Sequence, residues 1–231
     1  MKLHRFIGDW NLVKSEVEIT NPENVKQIKD ILRLRKGDKI ILSDGRGGSA
    51  EAVLEDISAD KISCILQEVI TEKETGAKVN LYLAILKKEN FELATQKATE
   101  AGVSGITPII TERTIKTGLN EKRLKKIILE ASEQSGRSFV PILSPVLNFE
   151  NALAYGSASE EKIIFDSSGA ECAPNKQAKT ASIFIGPEGG FTEKEIKMAE
   201  SAGYTVASLG SLILRGETAA IIATYRAVNK I

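Results

Sequence analysis

The sequence predicts an α/β protein in two parts: a small β-barrel with one covering helix, then a mostly parallel sheet with helices between its strands. Three observations carry this. Short runs with strand patterning crowd the chain before residue 72, and a polar stretch at 71–78 (TEKETGAK) interrupts it. Beyond that stretch, strand-like and helix-like segments alternate, which is the order of a parallel α/β sheet. The expected domains are 1–72 and 73–231.

In the first part, strands are expected at 39–43 (KIILS), 50–54 and 61–70 (KISCILQEVI). Asp44-Gly45-Arg46-Gly47-Gly48 lies between the first two and reads as a hairpin tip, because glycines supply the positive φ such turns need. One helix precedes them. Asn21-Pro22-Glu23 starts it, Val25, Ile28, Ile31 and Leu32 form its apolar stripe, and Lys36-Gly37-Asp38 ends it. In the second part, 79–86 (VNLYLAIL), 106–110, 162–166, 182–186 and 205–209 read as strands. Helices are expected at 89–101, with Phe91, Ala94, Ala98 and Ala101 on one side, and at 121–135, with Leu124, Ile127, Ile128 and Ala131 inward. Two more are expected at 192–202 and 216–229.

Composition removes several function classes. The 231 residues carry 31 basic and 31 acidic side chains, so neither a histone-like basic mass nor an acidic tail is present. Cys64 and Cys172 lie far apart without a CxxC, and His4 is the sole histidine. That leaves no zinc ribbon, no disulfide framework and no resident metal site built on histidines. No uncharged apolar run approaches the roughly 18 residues of a membrane span, and the amino terminus, MKLHRFIGDW, lacks a signal-peptide core. The expectation is a soluble, reduced, cytoplasmic protein.

Three loops at strand ends are candidates for chemistry, since ligands of open parallel sheets gather there. The first is Gly186-Pro187-Glu188-Gly189-Gly190-Phe191-Thr192, a tight turn whose amides can approach a ligand closely. Thr192 with Glu195 is a capping box, so the turn also reads as a plain αβ connection with a good N-cap. It matches neither GxGxxG nor GxxxxGK[ST]. The second runs Leu209-Gly210-Ser211-Leu212-Ile213-Leu214-Arg215-Gly216-Glu217-Thr218-Ala219-Ala220, an apolar wall beside one arginine and one glutamate; Leu212, Ile213 and Leu214, each taken alone, read as core. The third is Thr111-Glu112-Arg113-Thr114 with the helix end Ala131–Arg137. Residues 111–137 hold seven basic and four acidic side chains, a pattern that fits either a solvated helix face or a phosphate contact. The residues after the strand at 162–165 are expected to add a third wall to the first two loops.

Five motifs in register resemble one family. Residues 90–103 (NFELATQKATEAGV), Ile106-Thr107-Pro108 with Thr111-Glu112-Arg113, Glu133-Gln134-Ser135-Gly136-Arg137, Ile185–Phe191, and Leu209-Gly210 with 213–219 (ILRGETA) are similar in order and spacing to the RsmE family. These are the small-subunit ribosomal RNA (uracil-N3) methyltransferases of the SPOUT superfamily. His4-Arg5-Phe6 and 32–38 (LRLRKGD) extend the resemblance to nearly the whole chain. It implies a PUA-like barrel that helps hold RNA and a SPOUT domain with a knotted carboxyl-terminal segment. It also implies S-adenosylmethionine as cofactor, a homodimer, and methylation of N3 of the 16S rRNA uridine conventionally numbered 1498.

The resemblance assigns cofactor contacts to Phe165, Gly186, Pro187, Glu188, Gly189, Gly190, Leu209, Gly210, Ile213, Leu214 and Thr218. The RNA contacts expected are Arg5, Arg33, Arg35, Gln134 and Arg137, with Lys122, Lys125 and Lys126 from the basic face of the helix at 121–135. For catalysis, the residues themselves point to Arg215, Glu217 and Arg113. Uracil N3 must lose a proton, so an anion-stabilising cation or a base is required; Arg215 is the expected cation, while Glu217 either takes the proton or orients Arg215. The chain departs from the family at Lys87-Lys88-Glu89, where Gly-Asp or Gly-Glu is usual, at Ser211-Leu212, where an arginine is usual in the second place, and at Gly216, usually Thr or Ala. Two other classes stay open from the sequence: a non-catalytic RNA-binding assembly factor, and a superfamily member acting on tRNA.

Overall fold

The computed structural model describes residues 3–115, 117–173 and 175–231. The chain forms two compact units, Met1–Glu74 with Ser132–Val140, and Thr75–Ala131 with Pro141–Ile231.

The first unit is built on a five-stranded sheet in the order β1-β3-β4-β5-β2, comprising β1 (His4–Ile7), β2 (Glu16–Ile19), β3 (Lys39–Ser43), β4 (Gly48–Ile57) and β5 (Ile62–Thr71). β1 runs parallel to β3 and the other pairs are antiparallel. The expected strands at 39–43, 50–54 and 61–70 fall on β3, β4 and β5; β1 and β2 were not foreseen. Helix α1 (Pro22–Lys26) continues through a π-helical turn, Gln27–Ile31. It starts where the sequence indicates, with the Asn21 side chain accepting from the amides of Glu23 and Asn24 and Pro22 at the first helical position. Its Val25 and Ile28 close over Phe6, Ile19, Ile40, Leu42, Leu54 and Ile62. The β3–β4 tip is a true hairpin turn: Asp44 Oδ1 accepts from Arg46 N (2.7 Å) and Gly48 N (2.9 Å), while Gly45 and Gly47 hold φ of +69° and +104°. Residues 138–140 pair with this tip, through Gly47 N to Ser138 O and Val140 N to Gly45 O, each 2.9 Å.

The second unit holds seven strands, all paired in parallel, in the order β12-β10-β11-β6-β7-β8, with β9 also on β7. In chain order these elements are β6 (Lys78–Ala84), α2 (Lys88–Glu100), β7 (Gly105–Ile110), α3 (Glu121–Ser135), β8 (Ile142–Leu143) and β9 (Leu147–Asn148). There follow α4 (Phe149–Gly156), β10 (Glu161–Glu171), β11 (Thr180–Ile185), α5 (Glu193–Ser201), β12 (Thr205–Ser208) and α6 (Gly216–Asn229). Every strand and helix expected after residue 78 is present. The short β8 and β9 and helix α4 were not expected.

Tyr82 on β6 and Phe184 on β11 stack with ring centroids 4.3 Å apart; Phe149, Tyr204 and Phe191 gather around them. The Tyr204 hydroxyl donates to Leu153 O at 2.8 Å, so its phenol is buried without an orphaned proton. Helix α6 packs on α2, β6 and β11. Strand β10 pairs with β12 twice: Phe165 and Ala170 both oppose Ala207, with residues 166–169 looped out between them. Gly169 makes the return possible, because a Cβ there would lie 2.6 Å from the Ala207 backbone. Among the described residues, no helix is long and apolar enough to cross a membrane.

Candidate active site

The irregular stretch of β10 after Phe165 and the loops after β11 and β12 meet on three adjacent strands and wall a cleft of about 830 Å³. Residues 165–167, 185–191, 208–210 and 212–217 line it, with Lys87, Asn90, Arg113 and Ala219. The volume lies within the roughly 300–1,000 Å³ usual for small-molecule sites.

The Gly-rich turn is fixed at both ends. Phe191 is buried in the aromatic cluster, and a Cβ on Gly186 would come within 3.2 Å of its ring, so any larger residue there would press on Phe191. Gly190, at φ +69°, donates its amide to Pro187 O at 2.9 Å. The expected capping box is present: Glu195 N donates to Thr192 Oγ1 at 3.3 Å, and Thr192 N to Glu195 Oε2 at 2.8 Å. Buried Glu195 also accepts from Glu112 N at 2.8 Å, which ties the β7–α3 loop to the turn. Arg113 Nη1 donates to Gly189 O (2.7 Å) and Phe191 O (3.3 Å), and Lys87 N donates to Glu188 Oε1 at 3.1 Å. The turn is thus both a helix cap and a cleft wall.

The last loop is not core. Leu212 and Ile213 are 79% and 92% exposed and stand on the cleft; this corrects the reading of 212–214 as buried packing. Gly210 takes φ +125°. Arg215 is the N-cap residue of α6, exposed, with no side-chain capping bond. Glu217 is only 7% exposed and yet lines the cleft, and the two make no ion pair. Orientation of Arg215 by Glu217 is therefore not built into the fold. Gly216 has a local reason: a Cβ there would fall 2.8 Å from Leu86 Cδ2.

Of the cofactor residues named from the sequence, Phe165, Gly186, Pro187, Glu188, Gly189, Gly190, Leu209, Gly210, Ile213 and Leu214 line the cleft, and Thr218 does not. Arg215, Glu217 and Arg113 are brought together there, although Arg113 spends its guanidinium on the loop carbonyls. Ala219 belongs to the second candidate loop and lines the cleft, whereas Lys87 and Asn90 were missed; they flank the start of α2, where the sequence leaves the family pattern.

The RNA candidates lie elsewhere. On α3, Lys125 pairs with Glu121 at 2.6 Å, Lys126 approaches Glu130 at 4.0 Å and Arg123 holds Glu92 at 2.8 Å, so part of the basic face is already neutralised; Lys122 is exposed. Gln134 sits in the last turn of α3. In the first unit, Arg33 adopts φ +54° and Arg35 N donates to Asp38 Oδ2 at 2.7 Å. Burial lowers the pKa of the Arg5 and Arg137 guanidinium groups, opposed by Glu72 and Glu74 respectively, and Arg137 Nε donates to Phe139 O at 3.0 Å.

Comparison with known proteins fits this architecture. Residues 72–228 match a family model described as an RNA methyltransferase domain, and residues 19–67 one described as an RNA methyltransferase PUA domain. The chain is 32% identical to the Ribosomal RNA small subunit methyltransferase E of Rickettsia conorii, over 96% of this chain and 94% of the relative. It is 33% identical to the protein of that name from Bacillus subtilis, over 87% and 85%. A crystal structure of Ribosomal RNA small subunit methyltransferase E from Neisseria gonorrhoeae bound to S-adenosyl methionine superposes with a TM-score of 0.87 at 29% identity, covering 96% and 95% of the two chains. On the family-model match over residues 72–228 and these near-full-length identities, the chain belongs to the ribosomal RNA small subunit methyltransferase E family of RNA methyltransferases.

Proposed function

We propose that this protein transfers a methyl group from S-adenosylmethionine to N3 of a uridine in 16S rRNA, the one conventionally numbered 1498, during assembly of the small ribosomal subunit. The observation that carries the proposal is the convergence of the β10 irregularity and the loops after β11 and β12 on one cleft whose walls suit such a cofactor. Leu209, Leu212, Ile213 and Leu214 offer apolar surface to a purine, and the 186–190 turn offers backbone polar groups. The cofactor supplies an electrophilic methyl on a sulfonium.

The protein's own residues then have three tasks. The 186–190 turn and the 209–214 loop orient the donor, which converts a bimolecular displacement into an oriented one. Arg215, exposed at the cleft beside the start of α6, meets the negative charge that spreads over the uracil oxygens as N3 loses its proton. The unit holding Arg5, Arg33, Arg35 and Arg137, together with Lys122, Lys125 and Lys126 on α3, grips RNA phosphates. In this reading residues 1–72 form the RNA-holding barrel and 73–231 the methyltransferase domain, which works as a cytoplasmic homodimer with a knotted carboxyl-terminal segment and needs no metal.

Mass analysis of nucleosides from small-subunit rRNA of a deletion strain tests the proposal. Loss of 3-methyluridine, restored by the purified protein with S-adenosylmethionine, is the expected result. Intact 3-methyluridine in that rRNA would point to tRNA or to a non-catalytic assembly role.

A further inference from the structure

Three carboxylates line the cleft, and two of them are committed. Asp166 Oδ1 accepts from the amide and hydroxyl of Ser168 at 2.9 and 2.7 Å. Glu188 Oε1 accepts from Lys87 N. The third, Glu217, is buried in the first turn of α6 and makes no hydrogen bond or ion pair among the described residues. A carboxylate that lines a ligand cleft and has no protein partner is placed to accept a hydrogen bond or a proton from what binds there. The sole histidine, His4, lies in the other unit and does not line the cleft. Arg113 is held by loop carbonyls.

We infer that Glu217 is the proton acceptor for the target base. The inference rests on the uridine-N3 reading above and names the residue that reading leaves open. The N3 proton passes to a Glu217 carboxylate oxygen. The nitrogen lone pair so freed forms the bond to the methyl carbon as the carbon–sulfur bond breaks, and its electron pair stays on sulfur, leaving a neutral thioether. Solvent then takes the proton from Glu217. Arg215 lies two residues away at the N-cap of the same helix, so acceptor and charge-stabilising cation enter the cleft from one rigid element.

The test is single-turnover methylation by Glu217→Gln at saturating S-adenosylmethionine and RNA, alongside calorimetric cofactor binding. Glu217→Gln is expected to bind the cofactor within about threefold of the wild type and to transfer methyl about 10²–10⁴-fold more slowly. Its rate should climb about tenfold per pH unit as solvent takes over deprotonation of N3. The deficit should shrink on RNA carrying 5-fluorouridine, whose N3 proton is more acidic. Glu217→Asp, measured in the same way, should keep the wild-type pH profile at a reduced rate, and it replaces Gln if that variant is unstable. A Glu217→Gln rate within threefold of the wild type overturns the assignment. So does a deficit that neither pH nor fluorine changes, or a loss that follows weakened cofactor binding. A wild-type protein that produces no 3-methyluridine on any RNA would instead defeat the functional reading itself.

Discussion

Arg113 and Gly189 are joined by one hydrogen bond of 2.7 Å, guanidinium Nη1 to carbonyl oxygen, across 76 positions of sequence. With the second bond to Phe191 O, it makes Arg113 a brace for the Gly-rich turn. A hydrogen bond to a charged group is worth roughly 1.5–3 kcal/mol, so Arg113→Ala should weaken S-adenosylmethionine binding by about 10- to 100-fold while leaving cooperative unfolding intact. Arg113→Lys keeps the charge without the planar fork and should fall between. Calorimetry with a thermal melt checks this, and an unchanged Kd would return Arg113 to direct contact with RNA.

Gly189→Val should also lose cofactor affinity without unfolding. A Cβ at Gly189 would stand 3.3 Å from Arg113 Cδ and 3.5 Å from its Cβ, so the added methyl groups displace the brace as well as crowd the cleft. The two substitutions share a partner and should therefore be non-additive. A double-mutant cycle by calorimetry with fully additive losses would separate the turn from the arginine.

Lys125→Ala with Lys126→Ala should weaken binding to any RNA by similar amounts and reduce the slope of log K against log salt by about one unit per lost contact. The pairs these lysines make with Glu121 and Glu130 do not oppose this, since exposed ion pairs contribute only about 0.2–1 kcal/mol and exchange for phosphate at little cost. An unaltered salt slope in the double variant would leave these lysines as a solvated helix face.

Arg215→Ala should lower the single-turnover rate by roughly 10²–10³ with cofactor and RNA saturating, as loss of a charge-stabilising donor does elsewhere. Arg215→Lys should also be impaired. If the rate stays near normal while cofactor binding weakens, Arg215 belongs to the binding wall and not to the chemical step.

Cys64 gives a pH signature unconnected with activity. Burial raises its thiol to about 11 from 9.0, and the residue is fully enclosed in the core of the first unit. Above pH 9 the unfolded chain releases this proton and the folded chain does not. The corresponding stability is therefore complete below pH 9 and lost as pH rises towards 11, on the order of 2–3 kcal/mol. Denaturant melts of wild type and Cys64→Val across that window should diverge accordingly, and alkylation at pH 8 should proceed only through unfolding.

The elements legible in the sequence are those whose pattern is long or whose punctuation is chemical. α3 and α6 were readable to the residue, and the Asn21 cap, the Asp44–Gly48 tip and the Thr192–Glu195 box were each identifiable from side chains that have few other uses. β8 and β9 were not, because two residues carry no period. α4 hid for a related reason: its eight residues bury Phe149, Ala152, Leu153 and Gly156, too short a stripe to stand out from a loop. Within the cleft, the glycine turn announced itself. The commitment of Arg113 to loop carbonyls and the isolation of Glu217 did not, since both depend on which distant groups arrive beside them.

The detour in β10 has a consequence for how this cleft is walled. Residues 166–169 bulge out of the pairing, and Ala170 returns to the same partner, Ala207, that Phe165 opposes, with Gly169 against the Ala207 backbone. Registration downstream is thus set by the re-entry point and not by the number of residues spent outside. The width of this cleft wall and the strand pairing beyond it are therefore set by separate residues of one strand.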